Sequence, residues 1–318
     1  MKRNISVVIL NLDGRPMLEE CLPSLIAALD HYGGLWEIIV VDNASIDDSV
    51  AFLRAQYPHI RVIEMKENDP LVSLDTGIDA TQYEFLSFCN NDMVLEPDCL
   101  DYLMPHFDDE RVFAVTARVF EWDRATLQSR RRIPRFSKGQ FYYLSVDEDA
   151  AQSGLTCHAT GGQSIVRKSA YRALGGNDHI FKPLYHEDLD LTWRAYKAGW
   201  IALYEPRAIV YHRGGATSRR IFSPEALKML QHRNFFLFMW KNMHAPAQWA
   251  AHLAWLPVRL IAELLKGNKA FVLGFARALR ALPALMRSRR AARAAARVSD
   301  RAVFDLFTDD KPGGAPRA

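Results

Sequence analysis

The sequence predicts an α/β fold built on a mainly parallel central sheet with helices on both faces. From residue 5 to about residue 105, short apolar runs alternate with segments whose apolar residues recur at helical spacing. Continuous apolar runs are typical of strands covered on both faces, and regular alternation with helices favours parallel strands. Beyond residue 224 nearly every segment has helical spacing, which predicts a C-terminal helical region.

The individual elements follow from the same patterns. We expect strands at residues 5–11, 37–41, 61–64 and 84–88, and helices at residues 17–29 and 45–56. Ser45 is suited to cap the second helix, because Asp47 and Asp48 then fall in its first turn. Farther along we expect strands at 112–120, 162–166 and 202–211, helices at 168–174 and 188–198, and a basic loop at 128–139.

Composition and charge describe an ordinary globular protein with a basic C-terminal part. The chain has 318 residues, 49% hydrophobic and 24% charged, which excludes wholesale disorder and a disulfide mini-scaffold. Residues 249–301 hold eleven Lys or Arg against two acidic residues, a local +9, while the whole chain carries only +3. We therefore expect a main domain at 1–240, a basic amphipathic helical region at 241–305 and a flexible tail at 306–318.

Nothing in the sequence predicts export or a membrane-spanning helix. The apolar run at residues 5–10 is too short for a signal peptide, and no stretch of about 18 uncharged apolar residues occurs. The four cysteines include no C-x-x-C pair and favour buried thiols in a reducing compartment. These observations predict a cytoplasmic protein.

Three polar clusters stand where predicted strands end. They are Asn11 with Asp13, then Asp42-Asn43, and then residues 90–92, whose sequence is NND. Ligands of open parallel sheets bind outside the carboxyl ends of the strands, so these clusters predict a ligand site. The turn after the first strand is not G-x-G-x-x-G and no P-loop motif occurs, which argues against a dinucleotide or P-loop NTPase site.

Five short motifs follow one another along the chain: residues 40–45 (VVDNAS), 86–92 (LSFCNND), 186–191 (HEDLDL), 198–200 (AGW) and 211–218 (YHRGGATS). In this order they resemble family 2 glycosyltransferases, in particular the bacterial rhamnosyltransferase-like enzymes of surface-polysaccharide and lipopolysaccharide synthesis. The resemblance covers about residues 4–240. It implies a GT-A catalytic domain at 1–240 and inverting transfer from a nucleotide-diphospho-sugar to a glycan or lipid-linked acceptor.

The chemistry of that transfer explains the residue types at the strand ends. A divalent cation, Mn²⁺ or Mg²⁺, stabilises the charge that develops on the leaving diphosphate, and a single protein carboxylate can suffice to bind it. Asp92 is the candidate ligand, and the resemblance adds His212. The candidate donor-binding residues are Asn11, Asp13, Asp42, Asn43, Asn90, Asn91, Arg213 and Arg219.

Inversion also requires a general base on the face of the sugar opposite the diphosphate. Asp188 is the candidate, because the start of a helix favours its ionised form. Glu187 is expected to orient Asp188 or the acceptor. The alternative is that both are ordinary acidic residues of a first helical turn.

Two regions leave alternatives open. Residues 67–77 replace the Gly/Asn-rich stretch of related enzymes with a segment that includes Pro70 and Leu71, so thymidine, uridine and guanosine donors all remain possible. The basic residues at 130–138 are either a solvated face or a dock for acceptor phosphates.

The C-terminal region predicts peripheral binding to an anionic membrane surface on the cytoplasmic side, because its apolar runs are interrupted by arginines. The alternative is a helical subdomain packed on the rest of the chain or on a second subunit. A chain ending near residue 244 is expected to stay soluble, since the candidate site residues precede it. Nucleic-acid binding is not expected, because residues 287–301 contain no aromatic residue. The remaining functional alternatives are a sugar-nucleotide pyrophosphorylase and a non-enzymatic protein that binds anionic surfaces.

Overall fold

A computed structural model describes residues 2–146, 152–159 and 161–308, with the backbone alone of residues 216–218. The strands are β1 (Ile5–Asn11), β2 (Trp36–Asp42), β3 (Arg61–Glu64), β4 (Phe85–Asn90), β5 (Met93–Leu95), β6 (Val112–Glu121), β7 (Leu127–Ser129), β8 (Arg131–Ser137), β9 (Gln140–Val146), β10 (Gly154–Leu155), β11 (Gln163–Arg167) and β12 (Ile201–His212).

The α-helices divide into a set around the sheet and a C-terminal set. The first set is α1 (Arg15–Tyr32), α2 (Ser49–Gln56), α3 (Pro70–Asp79), α4 (Cys99–Leu103), α5 (Lys168–Ala173) and α6 (Glu187–Ala198). The second set is α7 (Ala216–Ile221), α8 (Pro224–Asn242), α9 (Pro246–Leu265), α10 (Lys269–Arg280), α11 (Leu282–Ala295) and α12 (Asp300–Asp305).

The main sheet confirms the predicted fold class. Its strand order is β10-β12-β6-β11-β4-β1-β2-β3, with β5 added to β12 and β7 added to β6. The neighbours β4, β1, β2 and β3 run parallel, as do β6 and β12, while β11 lies antiparallel between β4 and β6. The carboxyl ends of β1, β2 and β4 therefore meet at one edge, where the predicted polar clusters lie.

The basic segment 128–139 was predicted to be a loop, and this was wrong. Most of it forms β7 and β8, and β8 pairs with β9 in a separate two-stranded sheet. Ile133 and Phe141 are fully buried on this hairpin, and the charged Arg131 is itself buried, where its Nε donates to the carbonyl oxygen of Leu155 at 2.8 Å. The strand was not recognised because a charged residue, Arg131, occupies a buried position where the strand pattern calls for an apolar residue.

One helix begins later than the sequence pattern predicts, and another has no predicted counterpart. The predicted helix at 45–56 begins only at Ser49, because Ser45 bonds to Asp42 instead of capping the helix. The segment at 67–77 is largely the helix α3, with Pro70 at its first position and the Asp69 side chain accepting from the amide of Val72. Proline is favoured at a first helical position because its missing N–H would be unpaired there.

The C-terminal helices share one of the two hydrophobic cores that the sheet contributes to. Phe271, Leu285 and Phe307 belong to the same buried cluster as Trp193 of α6. A buried ion pair joins Lys197 at the end of α6 to Asp300 at the start of α12. Among the residues the structure describes, no helix is long and apolar enough to cross a membrane.

Candidate active site

The first part of the site is a buried network at the ends of β1, β2 and β4. Asn11 Nδ2 donates to Asp42 Oδ1 at 2.9 Å, and Asn91 Nδ2 donates to Asn11 Oδ1 at 2.9 Å. Ser45 Oγ donates to the same Asp42 oxygen at 2.6 Å. Three of the predicted donor-binding residues, Asn11, Asp42 and Asn91, are almost fully buried and bind one another, so they form a fixed base beneath the site. Gly14 closes this base, because a Cβ there would lie 2.2 Å from Asn91 Nδ2.

Asp92 and His212 form the second part of the site. His212 Nε2 lies 3.1 Å from Asp92 Oδ1 and 3.3 Å from Asn90 Nδ2, and its Nδ1 lies 2.7 Å from Gln128 Oε1. The pair is brought together because β12 pairs with β5, which opens directly after the NND sequence. Within the described ranges no three His, Cys, Asp or Glu side chains cluster as a metal site. An ion held here would complete its coordination with water or with a bound molecule.

A cavity of about 800 Å³ opens over this edge of the sheet. Most of the predicted donor and metal residues line it, namely Asn11, Asn43, Asn90, Asn91, Asp92, His212, Arg213 and Arg219. Asn43 is held by Ser73 of α3, which donates to its side-chain oxygen. The N-terminal end of α3 also contributes Asn68 and Pro70 to the wall, so the segment that departs from related sequences faces this cavity.

Some predicted donor-binding residues have their polar groups engaged elsewhere. Asp13 and Asp42 are not among the cavity-lining residues, and Asp13 Oδ1 accepts from the amide of Ile46 at 2.7 Å. Arg213 donates to Glu20 Oε1 at 2.7 Å and stacks on Trp122 with 4.2 Å to the ring centroid. Arg219 donates to the carbonyl oxygen of Gly214. Both arginines line the cavity, but each guanidinium also donates a hydrogen bond to another group of the protein.

A second cavity, of about 640 Å³, contains both predicted catalytic carboxylates. Its lining residues are Arg132, Gln140, Phe141, Tyr142, Tyr143, His158, Tyr185, His186, Glu187, Asp188, Leu189, Gln231, His232 and Phe235. Tyr185 and Gln231 line both cavities, which therefore adjoin each other. Aromatic faces beside hydrogen-bonding groups suit a sugar ring.

The turn that presents the two carboxylates has an unusual backbone. Tyr185 and His186 have φ angles of 77° and 73°, in the left-handed region that residues other than glycine seldom adopt. Asn234 of α8 holds this turn by donating from Nδ2 to the carbonyl oxygens of Leu184 at 2.8 Å and Tyr185 at 2.9 Å. Strained backbone of this kind persists where surrounding contacts enforce it, and it clusters at functional sites.

Asp188 and Glu187 have opposite electrostatic environments. Burial acts to raise the pKa of Asp188, but His158, its hydrogen bond and Arg132 outweigh that effect and lower it. Burial and the neighbouring Asp188 raise the pKa of Glu187, whose Oε2 is buried without a hydrogen-bond partner within the described part of the chain. Asp188 is therefore ionised at neutral pH, as a general base must be, while Glu187 favours its protonated form.

Sequence reasoning missed two residues that contact Asp188 directly or through a neighbour. His158 Nε2 lies 2.9 Å from Asp188 Oδ2, and Arg132 contacts the other nitrogen of the same ring. Neither residue lies near residue 188 in the sequence. The only signal was the basic character of the segment at 128–139, whose fold was not recognised.

Comparison with known proteins identifies the family of this chain. The family described as "Glycosyl transferase family 2" matches residues 6–175, more than half of the chain. Among curated proteins, the Mycobacterium tuberculosis pre-mycofactocin glycosyltransferase is 27% identical over 55% of this chain. This chain spans only 37% of that relative's length. The N-acetylglucosaminyl-diphospho-decaprenol L-rhamnosyltransferase of the same organism is 23% identical over 79% of this chain and 88% of its own.

Solved structures agree on the fold. The mannosyltransferase PcManGT from Pyrobaculum calidifontis, determined in complex with GDP-mannose and Mn²⁺, has a TM-score of 0.56 at 15% identity. The similarity covers 98% of this chain and 89% of that one, so it includes the C-terminal helices. On the matching family and the shared architecture, the chain belongs to glycosyltransferase family 2 and has the GT-A fold.

Proposed function

We propose that this chain transfers a sugar, rhamnose or another hexose, from a nucleotide-diphosphate donor to a glycan or lipid-linked acceptor, with inversion at the anomeric carbon. One observation carries the proposal. The cavity that holds Asp92 and His212 adjoins the cavity that holds Asp188, with Tyr185 and Gln231 between them. A donor in the first cavity and an acceptor in the second would meet at this boundary.

Asp92 and His212 suit a divalent cation. If His212 Nδ1–H donates to Gln128 Oε1, the lone pair of Nε2 is directed toward the Asp92 carboxylate, 3.1 Å away. Two electron-rich atoms at that distance repel unless a proton or a cation lies with them, and ligating histidines commonly donate their second N–H in this way. Mn²⁺ or Mg²⁺ held by Asp92 and His212 would stabilise charge on the leaving diphosphate.

Asp188 takes the role of general base. It removes the proton of the acceptor hydroxyl while that oxygen bonds to the anomeric carbon. The bond from that carbon to the diphosphate oxygen breaks, and the nucleoside diphosphate leaves with the electron pair. A base on the face opposite the leaving group gives inversion and is worth about 10²–10⁴-fold in rate.

The identity of the acceptor is supported by the surfaces next to the second cavity. The hairpin of β8 and β9 lines that cavity, and its tip lies on α9, where Lys138 Nζ is 5.7 Å from the centroid of the Trp255 ring. A rhamnosyltransferase relative is named for a diphospho-decaprenol substrate. We infer an amphiphilic, lipid-linked acceptor of the kind used in surface-polysaccharide synthesis.

The outer face of α9 supports attachment to a membrane surface. Five large apolar side chains, Leu253, Val258, Ile261, Leu264 and Leu265, are 55–84% exposed there. At about 100° per residue they fall on one side of the helix. The charges that interrupt this segment are engaged elsewhere, since Arg259 donates to the carbonyl oxygen of Lys138 and Glu263 binds Lys266. We infer peripheral binding to the anionic cytoplasmic leaflet, aided by the basic residues of α10 and α11.

The test of the proposal is release of nucleoside diphosphate from a panel of nucleotide sugars, with Mn²⁺ or Mg²⁺ and a polyprenyl-diphospho-sugar acceptor. Asp188→Asn is expected to keep donor binding and to lose about 10²–10⁴-fold in kcat. Asp79→Asn, with a side chain 80% exposed, is the matched control. Release of pyrophosphate, or loss of binding and turnover together in Asp188→Asn, would contradict the proposal.

A further inference from the structure

Asp188 lies at the end of a chain of three side chains that come from three separate segments. Arg132 comes from β8, His158 follows β10, and Asp188 is in the first turn of α6. His158 Nε2 is 2.9 Å from Asp188 Oδ2, and Arg132 Nη1 is in contact with His158 Nδ1. The segments are also joined through the backbone, because the amide of Cys157 donates to the carbonyl oxygen of Arg132 at 2.8 Å.

The order of these groups determines where the imidazole proton lies. A guanidinium can only donate hydrogen bonds, so the Nδ1 that faces Arg132 must accept. The ring proton is then on Nε2, from which it is donated to Asp188. Arg132 is held over the ring of Tyr143, with 4.9 Å to the centroid. The tautomer of His158 is thus set by a cation that does not itself lose its charge.

His158 is also kept neutral. Its side chain is 11% exposed, and burial lowers its pKa, as does the nearby Arg132, against the opposing effect of Asp188. A neutral donor orients a carboxylate but withdraws less of its basicity than a cation in the same place would. The second oxygen, Oδ1, accepts from the amide of Leu189 at 2.7 Å, so both oxygens of Asp188 are held.

We propose that Arg132 and His158 are positioning residues for the base, with Arg132 fixing the Nε2–H form of His158 and His158 orienting Asp188. This rests on the proposed role of Asp188. The acidic neighbour of Asp188 on the same helix is Glu187, while the carboxylate of Asp190 binds Arg194 and Lys241 instead. Other titratable groups beside the pair are His186, His232 in the same cavity, and Tyr143, whose ring centroid lies 5.9 Å from that of His158. Arg132 is the permanent cation in contact with His158, so its removal is expected to change the protonation of His158 most.

The first experiment does not depend on activity. Long-range ¹H–¹⁵N correlation spectra of the histidine rings in the full chain are expected to show His158 as the neutral Nε2–H tautomer at neutral pH. Arg132→Met should raise the pKa of His158, whereas Arg132→Lys, which still donates, should keep the tautomer. A neutral Nδ1–H form or a cationic His158 in the unsubstituted chain would overturn the proposal.

The second experiment measures the pH profile of kcat. In Arg132→Met the acidic limb is expected to move to higher pH, because a protonated His158 would weaken the base. In a His158→Gln background, where Gln Nε2 can still donate to Asp188, Arg132→Met should move that limb clearly less, because only the direct effect of Arg132 on the pKa of Asp188 then remains. The acceptor KM is measured in the same variants. If Arg132→Met raises the acceptor KM equally in the unsubstituted chain and in His158→Gln, Arg132 binds the acceptor directly, and its positioning role is overturned. Retention of kcat by Asp188→Asn would instead contradict the proposed function, and the ring spectra would still decide the tautomer.

Discussion

Asp92 is the residue on which the metal proposal depends. Its carboxylate faces His212 at 3.1 Å at the edge of the larger cavity. We predict that Asp92→Ala nearly abolishes turnover and that excess EDTA does the same to the unsubstituted chain, with recovery on adding Mn²⁺. The measurement is nucleoside diphosphate release, with the exposed Asp79→Ala as the control. Full turnover in excess EDTA would remove the metal from the mechanism.

Glu187 gives a second prediction at this scale, concerning stability and pH. Burial and Asp188 raise its pKa above the ordinary value of 4.5, so the folded state holds a proton that the unfolded state releases. The stability contributed by Glu187 is therefore present below about pH 4.5 and is lost as pH rises toward the folded-state pKa. We predict that Glu187→Gln, which stays neutral, gains unfolding free energy relative to the unsubstituted chain across that window.

The measurement is denaturant unfolding at several pH values, with the exposed Glu110→Gln as the control. Each unit by which the pKa is raised corresponds to about 1.4 kcal/mol. The prediction is contradicted if the difference in unfolding free energy between Glu187→Gln and the unsubstituted chain does not change with pH. Glu187 would then be ionised in the folded state across this pH range.

Individual residues differ in how far the sequence could predict them. The strand-end residues from Asn11 to Asp92 were found because parallel strands bring their carboxyl ends together. The sequence did not predict which of these residues face the cavity. The same pattern fits an aspartate that faces a ligand and one that, like Asp42, is buried in a hydrogen-bond network. His158 was missed for a different reason, because its contact with Asp188 depends on the hairpin of β8 and β9.

At the scale of elements, α8 holds the turn at Tyr185 and His186 that leads into the two candidate carboxylates. Asn234 is fully buried on α8 and donates to three carbonyl oxygens of the preceding segment, including that of Tyr185. We predict that Asn234→Ala lowers unfolding free energy by about 1–3 kcal/mol, because buried acceptors lose their donor. It should also lower kcat by about 100-fold, the effect expected of a displacement of roughly 1 Å in a catalytic group.

A helix-cap variant provides the matched control for Asn234→Ala. Asn268→Ala removes the side chain that caps α10 and is expected to cost about 1 kcal/mol in a helix of the C-terminal set. Thermal unfolding and kcat are measured for both variants. A kcat for Asn234→Ala no lower than that of Asn268→Ala would show that Asn234 only stabilises the fold.

Elements with regular apolar patterns were predicted well, and elements defined by long-range pairing were not. The strands from Ile5 to Phe88 lie within a residue or two of their expected bounds. The strands β1, β2 and β4 are largely buried on both faces, whereas β3 at the end of the sheet is exposed or half-buried. The β8 and β9 hairpin was missed because its inward side chains include Arg131 as well as apolar residues. Ser45 was expected to cap the helix that follows it. Its side chain instead bonds to Asp42, three residues earlier at the end of β2, and the helix pattern gives no sign of that contact.

The C-terminal helices share one of the two hydrophobic cores with the sheet, and this changes how the C-terminal region must be tested. Removing everything after residue 244 would leave Lys197 without Asp300 and would open the buried places of Val303 and Phe307. Leaving a buried charge without its partner costs about 3–5 kcal/mol. The structure therefore reverses the expectation that such a chain would stay soluble, and substitutions on the outer face of α9 are the sharper test.

Our last prediction concerns that outer face. The full chain should sediment strongly with anionic vesicles and only weakly with neutral ones, because each arginine near an anionic surface contributes about 1 kcal/mol. High salt should reverse this only in part, since burial of the apolar face of α9 does not depend on salt. Ile261→Glu with Leu264→Glu should abolish the salt-resistant part, because each buried side chain is worth about 1.5–3 kcal/mol.

Leu35→Glu is the control for this prediction, because its side chain is 66% exposed and lies in the loop before β2. Vesicle sedimentation is measured together with the mass of the protein in solution, since an apolar helix face can also be covered by a second copy of the chain. If the full chain ignores anionic vesicles and its mass halves in the α9 variant, the face is a subunit interface. In that case the membrane proposal fails, while the two adjoining cavities and their proposed chemistry are unaffected.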